Sequence, residues 1–300
     1  MRTKFSPGIA VVCLALVLAS FAATPVSAEP VAPEPEPTVE PLPTFTMVTP
    51  PKVTGTIRYG KTLTRSVGTY SETEGLSSHT QWLRNNKPIT GANGRTYKLG
   101  VSDVGARISV RLTVRKAGFQ NLTLDSAPTW PIRHVRDVRK TVNYRIAYRG
   151  TITANKSEFR TQVNQILNDP RGWRSTGIAF KEVQSGGSMT VYLANASSMT
   201  SFSSSCSSNW SCRVGRNVVI NQERWKHSTS TWRKAKGTTL SGYRHMVVNH
   251  ETGHWLGWKH RSCGGKGKRA PLMMQQSKGL KGCKPNPWPI KSERNPPRFR

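Results

Sequence analysis

Acidic residues are scarce in this chain. Its 300 residues include 15 Asp and Glu against 45 Lys and Arg, which gives a formal net charge of +30 at pH 7. Four of the acids precede residue 51, so the remainder of the chain is more basic still: Glu29, Glu34, Glu36 and Glu40. A surface of this charge attracts polyanions. Anionic cell-wall polymers and lipid head groups are the candidate partners, although the same charge could serve only to keep the protein soluble.

Long apolar runs are also missing beyond the N-terminus. A basic segment at residues 1–4, an apolar run at 9–23 and a small-residue site at 26–28 together predict a signal peptide over residues 1–28. The apolar core is short for a membrane span. We therefore expect a mature chain without a transmembrane segment that is secreted or associated with the cell wall. Export also disfavours nucleic acid as a partner.

Cysteine is sparse. Of the five in the chain, Cys13 lies in the predicted signal peptide, and its removal leaves four: Cys206, Cys212, Cys263 and Cys283. An even number in an exported chain predicts disulfide bonds, for which four cysteines allow three connectivities. Neither neighbouring pair has the C-x-x-C spacing of a structural zinc site. We predict Cys206–Cys212, which closes a short loop, and Cys263–Cys283, which brackets residues 271–274.

Shifts in composition divide the rest of the chain. Residues 29–50 are rich in Pro and Glu and predict a disordered, semi-rigid linker. Residues 51–133 are expected to form an all-β domain, and residues 138–291 an α+β domain. Residues 292–300 are basic and predict a disordered tail. The predicted fold class is therefore multidomain, an all-β sandwich followed by an α+β domain.

The all-β prediction depends on two strands. Apolar and polar residues alternate strictly over 108–115, which is the period of a strand with one buried face. Residues 79–84 predict a second strand, with Trp82 in the core. The segment lacks the intersheet cysteines of antibody domains but resembles the immunoglobulin-like modules of secreted bacterial proteins at three short motifs: residues 60–63, 81–84 and 103–105. The resemblance implies a β-sandwich, and its role as a carbohydrate or protein binder or as a spacer stays open.

Helical and strand patterns are mixed in the second domain. Residues 156–167 place four apolar side chains on one helical face: Phe159, Val163, Ile166 and Leu167. Residues 240–256 predict a longer helix, for which Ser241 is a candidate N-cap. Strands are expected at residues 142–148, 178–183, 189–193 and 218–221.

The longer helix carries the principal motif, His250-Glu251-x-x-His254-x-x-Gly257-x-x-His260. Residues at i and i+4 share one helical face, so His250 and His254 can bind the same metal ion. Glycine adopts positive φ without strain, so Gly257 can end the helix and return His260 as a third ligand. Three histidines leave a coordination position open, as in catalytic zinc sites, and Glu251 is then the candidate general base.

This motif resembles the zinc-binding sequence of the metzincin metallopeptidases. Metzincins place a methionine in a tight turn beneath the metal, and Met273 is the corresponding residue here. Other motifs resemble the secreted bacterial family named domain of unknown function 3152: residues 168–173, 218–221 with 224–225, and 275–276 with 282–289. The resemblance covers residues 138–291 and implies a metzincin-like zinc peptidase domain in a bacterial protein.

A secreted zinc-dependent metalloendopeptidase is the function that these features predict. One catalytic Zn²⁺, held by the three histidines, would polarise the scissile carbonyl and activate a water from which Glu251 takes a proton. The substrate is expected to be a peptide or protein. The alternatives are a non-catalytic, zinc-containing cell-wall protein and an adhesin that acts through its immunoglobulin-like module. Glu251 argues against the first alternative, because structural zinc needs no general base.

Overall fold

The computed structural model describes residues 40–299. The predicted signal peptide and the first part of the predicted linker lie outside the described residues. Within residues 40–299, no helix is long and apolar enough to cross a bilayer. The described chain combines several β-sheets with a few helices in an α+β arrangement. The α-helices of the described residues all lie after residue 155.

Short antiparallel strands make up the first part of the chain. They form three sheets, whose strand orders are β1-β4, β2-β3-β7 and β6-β5-β8-β9. Their bounds are β1 Met47–Thr49, β2 Lys52–Gly55, β3 Thr62–Ser66, β4 Thr69–Tyr70, β5 Ser77–Arg84, β6 Lys87–Pro88, β7 Thr96–Lys98, β8 Ile108–Arg115 and β9 Leu122–Asp125.

The two strands predicted from the sequence are confirmed as β5 and β8. They pair along their whole length, with Trp82 opposite Val110. The Trp82 side chain is fully buried, and its Nε1–H donates to the carbonyl of Gly94 at 2.9 Å. Leu63 of β3 packs in the same apolar cluster, so the two larger sheets share a core.

Ordered structure begins before residue 51. Phe45 is 4 % exposed and packs against Tyr70 and Val114, with its ring 5.9 Å from that of Tyr70. Strand β1 pairs with β4. The disordered linker predicted from composition therefore ends earlier than residue 50, because Phe45 completes a small apolar cluster at the end of β8.

We expect Phe45→Ala to lower the free energy of unfolding by about 3–5 kcal/mol, the usual range for truncating a buried phenylalanine. Leu42→Ala is the matched control, because Leu42 is 53 % exposed and its truncation should change little. Urea unfolding followed by tryptophan fluorescence measures both. Equal stability of the two variants would contradict the burial of Phe45.

Strands and helices are interspersed in the second part of the chain. One sheet has the order β11-β10-β12-β14-β13, in which only β13 is antiparallel to its neighbour. The elements are β10 Lys140–Arg149, α1 Lys156–Asn168, β11 Ile178–Glu182, β12 Met189–Ala194, β13 Cys212–Val214, β14 Asn217–Asn221, α2 Gln222–His227, α3 Ser230–Lys234 and α4 Leu240–Trp255. All four predicted strands are present, whereas β13 was not predicted.

Helices α1 and α4 pack into one core with β10, β12 and β14. The predicted apolar face of α1 is buried, and the Asn155 side chain caps its N-terminus by accepting a hydrogen bond from the amide of Glu158. The N-cap of α4 is Thr239, whose hydroxyl accepts from the amide of Gly242 at 2.9 Å. The prediction of Ser241 is therefore wrong, because the helix begins one residue before it.

The C-terminal residues also differ from the sequence prediction. Residues 292–300 were expected to form a disordered tail, but 3₁₀ turns occur at Lys291–Glu293 and Pro297–Phe299. The Glu293 side chain is fully buried, and the amide of Arg298 donates to the carbonyl of Leu256 at 3.0 Å. These contacts join residues far apart in sequence, which composition does not reveal.

Candidate metal centre

The three histidines of the motif converge at the end of α4. The rings of His250 and His254 lie one turn apart, with centroids 4.8 Å from each other. Gly257 follows the helix with φ +94°, and the amide of Trp258 donates back to the carbonyl of Gly253 at 3.0 Å. This turn brings His260 to 5.4 Å from His250 and 4.5 Å from His254, measured between ring centroids. One ligand nitrogen from each ring lies within 4.8 Å of the others.

Backbone carbonyl groups determine the tautomers of the two helical histidines. Nδ1 of His250 lies 2.8 Å from the carbonyl oxygen of Leu272, and Nδ1 of His254 lies 2.8 Å from that of Trp258. Because a carbonyl oxygen only accepts, each Nδ1 must carry the hydrogen. The Nε2 lone pairs are therefore available to a metal ion. Histidines that bind metals usually donate their other ring N–H to a carbonyl or carboxylate in this way.

The histidines are held in the uncharged form that binds metals. Burial, followed by the neighbouring His254, lowers the pKa of His250 to about 3. Burial also lowers the pKa of His254 to about 4. The pKa of His260 is lowered by burial and then by the charge of Lys278. All three imidazoles are thus neutral at pH 7 and need not release a proton to bind an ion.

A single ion could be held after some movement of the rings, because their ligand nitrogens lie within 4.8 Å of one another. A tetrahedral ion with bonds of about 2.0–2.1 Å separates its ligand nitrogens by roughly 3.3–3.4 Å. Nε2 of His254 and Nε2 of His260 are 3.0 Å apart, and His260 is exposed, so its ring has room to turn. Imidazoles suit zinc, copper, iron and nickel. The cluster could therefore hold a metal ion, whose identity the donor set alone does not select.

Glu251 faces the same cavity as the three histidines. This cavity has a volume of about 380 Å³, and Glu251 is 6 % exposed within it. Burial raises the pKa of Glu251 to about 8, and the charge of Arg213 opposes that rise. A cation held by the histidines would lower this pKa further, because an opposite charge favours the ionised form. The structure therefore brings the predicted base and the predicted ligands together, while its catalytic role stays a prediction.

Met273 lies in a tight turn beneath the helix. The amide of Met274 donates to the carbonyl of Pro271 at 3.1 Å, which closes the turn over residues 271–274. Met273 is fully buried, and its Sδ packs so closely on Gly253 that a side chain there would collide with it. The predicted methionine turn therefore supports the part of α4 that lies between the two helical histidines.

Glu293 is a residue of this centre that the sequence analysis missed. Its Oε1 accepts from the amide of Met273 at 3.0 Å, and its Oε2 accepts from the amides of Leu272 at 3.0 Å and Ile290 at 2.9 Å. The Met273 N–H belongs to the same peptide group as the Leu272 carbonyl that binds His250. Glu293 thus orients a metal-ligand histidine through one peptide plane. The sequence contains a signal, since Glu293 is the only acidic residue after Glu251.

Both predicted disulfide pairings are confirmed. Cys206 is bonded to Cys212, and Cys263 is bonded to Cys283. The first bond ties a serine-rich loop that lines the cavity to strand β13. The second joins the segments on either side of the methionine turn, where the amide of Ala270 also donates to the carbonyl of Lys284 at 2.9 Å.

Residues outside the histidine motif also line the cavity. Strand β13 contributes Arg213, the serine-rich loop contributes Trp210, and the segment after the methionine turn contributes Lys278. Strand β13 has only three residues, too few for a strand period to be recognised in the sequence. The edge of the sheet at this cavity is therefore β13, and β14 lies inside the sheet.

We expect Glu293→Gln to weaken zinc binding by roughly tenfold, the lower end of the effect of removing an outer partner of a ligand. The amide group cannot accept from all three backbone N–H groups, so the metal-free protein should also lose about 1–3 kcal/mol of stability. Competition with a chromophoric chelator and urea unfolding give the two values. Glu223→Gln is the control, because Glu223 is partly exposed and its ion pairs are with surface residues. Zinc binding by Glu293→Gln equal to that of the control would show that Glu293 does not orient His250.

Comparison with known proteins gives one family. The model of the family described as Protein of unknown function (DUF3152) matches residues 124–287. The match begins in β9 rather than at residue 138, and it includes the three histidines, Glu251, Met273 and the disulfide cysteines but ends before Glu293. No curated protein matches the chain. Because the match covers more than half of the 300 residues, this chain belongs to the DUF3152 family.

Proposed function

We propose that this protein is a secreted, metzincin-like zinc metallopeptidase. One observation carries the proposal: the carboxyl group of Glu251 faces the same cavity as three neutral histidines that could hold a metal ion. A structural metal site is fully coordinated by protein ligands and needs no further carboxyl group beside it. A zinc ion in this cluster would supply a Lewis acid for a peptide carbonyl and would lower the pKa of a water.

The residues of the chain have separate roles in the proposed reaction. His250, His254 and His260 would hold the ion, and the Nε2 lone pairs of His250 and His254 are available for it. The Glu251 carboxylate accepts a proton from the attacking water and delivers it to the nitrogen of the leaving amine. The position of Glu251 supports this role, because its carboxyl group lines the cavity beside the histidines, where a bound cation would favour its ionised, proton-accepting form.

Strand β13 is the proposed binding element for the substrate backbone. It pairs with β14 on one side and borders the cavity on the other. An extended peptide can add to such an edge by backbone hydrogen bonds. The Cys206–Cys212 bond supports this role, because it fixes the strand to the loop that carries Trp210.

We also propose that the strands of residues 47–125 form an immunoglobulin-like sandwich. Two features support this: the larger sheets share a core, and the buried Trp82 lies at its centre. This module would hold the cavity near the material to which the protein binds.

The chemical proposal predicts different losses for ligands and base. His250→Ala should lose most of the bound zinc, since three protein ligands are already the minimum for a catalytic site. Glu251→Gln should keep its zinc but lose peptide hydrolysis by about 10² or more, the scale of a lost general base. Zinc stoichiometry and turnover of a quenched-fluorescence peptide library, measured side by side, distinguish these outcomes.

His245→Gln is the matched control for the histidine variants. His245 lies on the same helix, but its Nδ1 contacts the carbonyl of Ser241 and its ring packs on Trp288. Its replacement should leave zinc content and turnover near the wild-type values. Equal hydrolysis by wild type and Glu251→Gln would exclude Glu251 as the base, and a wild-type protein without zinc would overturn the proposal.

Anionic cell-wall polymers are the macromolecular partner that we propose. The net charge of +30 is the observation that favours them. Because exposed charges act through a field that salt screens, binding to purified walls should weaken strongly between low and high ionic strength. Sedimentation of the protein with walls measures this. A bound fraction that does not change with salt would exclude the electrostatic attachment.

A further inference from the structure

We propose that the cavity selects peptides that carry a carboxylate beside the scissile bond, and that Arg213 and Lys278 bind this group. The inference rests on the proposed peptidase function and adds a substrate class to it. The two cations lie on different walls of the cavity, Arg213 on β13 and Lys278 on the segment after the methionine turn. A carboxylate bound in this cavity would therefore have two cations from separate elements available to it.

Both side chains border the cavity that contains the histidine cluster. Arg213 and Lys278 line it together with His250, His254 and His260. Both cations are exposed, so a ligand that enters the cavity can reach them. An anionic group bound there would be attracted by both positive charges.

Neither cation is neutralised by the protein. Glu251 is the only acid among the residues that line the cavity. Within residues 40–299, no carboxylate forms an ion pair with Arg213 or Lys278. Lys278 lies over the Trp210 ring at 5.7 Å, a contact that holds the ammonium group without reducing its charge. An ion pair with a substrate carboxylate is the strong interaction that both side chains have available.

Two cations near these residues do not line the cavity, Arg224 and Arg298. Arg224 lies over the Trp210 ring, and its guanidinium donates to the carbonyl of Ser228. Arg298 lies over the Trp255 ring at 4.1 Å. Arg213 follows Cys212 of the first disulfide, so the strand that carries it is tied to the loop at the cavity. A cation carried by such a strand is suited to selecting one charge over another.

Matched peptides test the inference. One quenched-fluorescence scaffold with both ends blocked carries Glu, Gln or Lys next to the scissile bond, and a fourth peptide carries Gln with a free C-terminus. We expect kcat/KM for the Glu peptide to exceed that for the Gln peptide on the order of tenfold at low salt. A higher value for the free C-terminus than for its blocked counterpart would identify a terminal carboxylate, rather than a side chain, as the group that is bound.

Charge reversal assigns the effect to residues. Arg213→Glu should remove the preference for Glu and favour the Lys peptide, and Lys278→Gln should reduce the preference for Glu. Lys181→Glu makes the same change in net charge as Arg213→Glu, but Lys181 is exposed on β11 at the opposite edge of the sheet. This control should keep the wild-type preference.

Two results would overturn the inference: equal cleavage of the Glu and Gln peptides by wild type, or an unchanged ratio in Arg213→Glu. If wild type cleaves none of the peptides, the proposed function fails, but the preference for a charged peptide can still be measured as binding. Fluorescence anisotropy of the same peptides with zinc-loaded protein then gives the affinity for each peptide. Tighter binding of the Glu peptide, lost in Arg213→Glu, supports the inference, and equal binding of the Glu and Gln peptides refutes it.

Discussion

The peptide group between Leu272 and Met273 connects the histidine cluster to the rest of the fold. Its carbonyl oxygen holds Nδ1 of His250, and its N–H is held by the buried carboxylate of Glu293. A peptide group is planar, so fixing one end fixes the direction of the other. The imidazole of His250 cannot turn without leaving a buried donor or acceptor unpaired, at a cost of about 1–3 kcal/mol. Met273, the next residue, packs against Gly253 of α4 and keeps helix and turn in contact.

A local hydrogen bond holds the second helical histidine in place. His254 donates to the carbonyl of Trp258, four residues along the chain, and the positive φ of Gly257 makes this possible. The contrast between the two histidines explains which parts of the site could be predicted. The triad and the turn at Gly257 follow from spacing along one helix, and the structure brings them together as expected. Glu293 acts across more than 40 residues of sequence, so its contact with the site follows from the fold, although the sequence does mark it as the only acid after Glu251.

Elsewhere in the chain, too, elements with a local sequence pattern could be predicted, and those that depend on distant contacts could not. The strict alternation over β8 and the apolar face of α1 predicted these elements because each pattern spans several periods. Strand β13 is shorter than two strand periods, and the cluster that buries Phe45 depends on strands far away in sequence. The N-cap of α4 was misplaced by two residues because threonine and serine are both good caps, and side-chain chemistry does not choose between them.

The scarcity of acids has two electrostatic consequences that differ in range. Several carboxylates are themselves buried and committed to partners within the protein: Asp103 accepts from Arg84 and Tyr97, Asp169 from Arg171, and Glu293 from the backbone. Few remain to neutralise the cations, so a positive field extends outward, and at the same time Arg213 and Lys278 stay unpaired in the cavity. Physiological salt screens the outward field within about 8–10 Å. In the proposed complex a substrate carboxylate pairs directly with Arg213 or Lys278, at a separation shorter than that length, so salt would screen this attraction less. The proposed attachment to an anionic surface and the proposed recognition of an anionic substrate would then have the same origin but different sensitivities to salt.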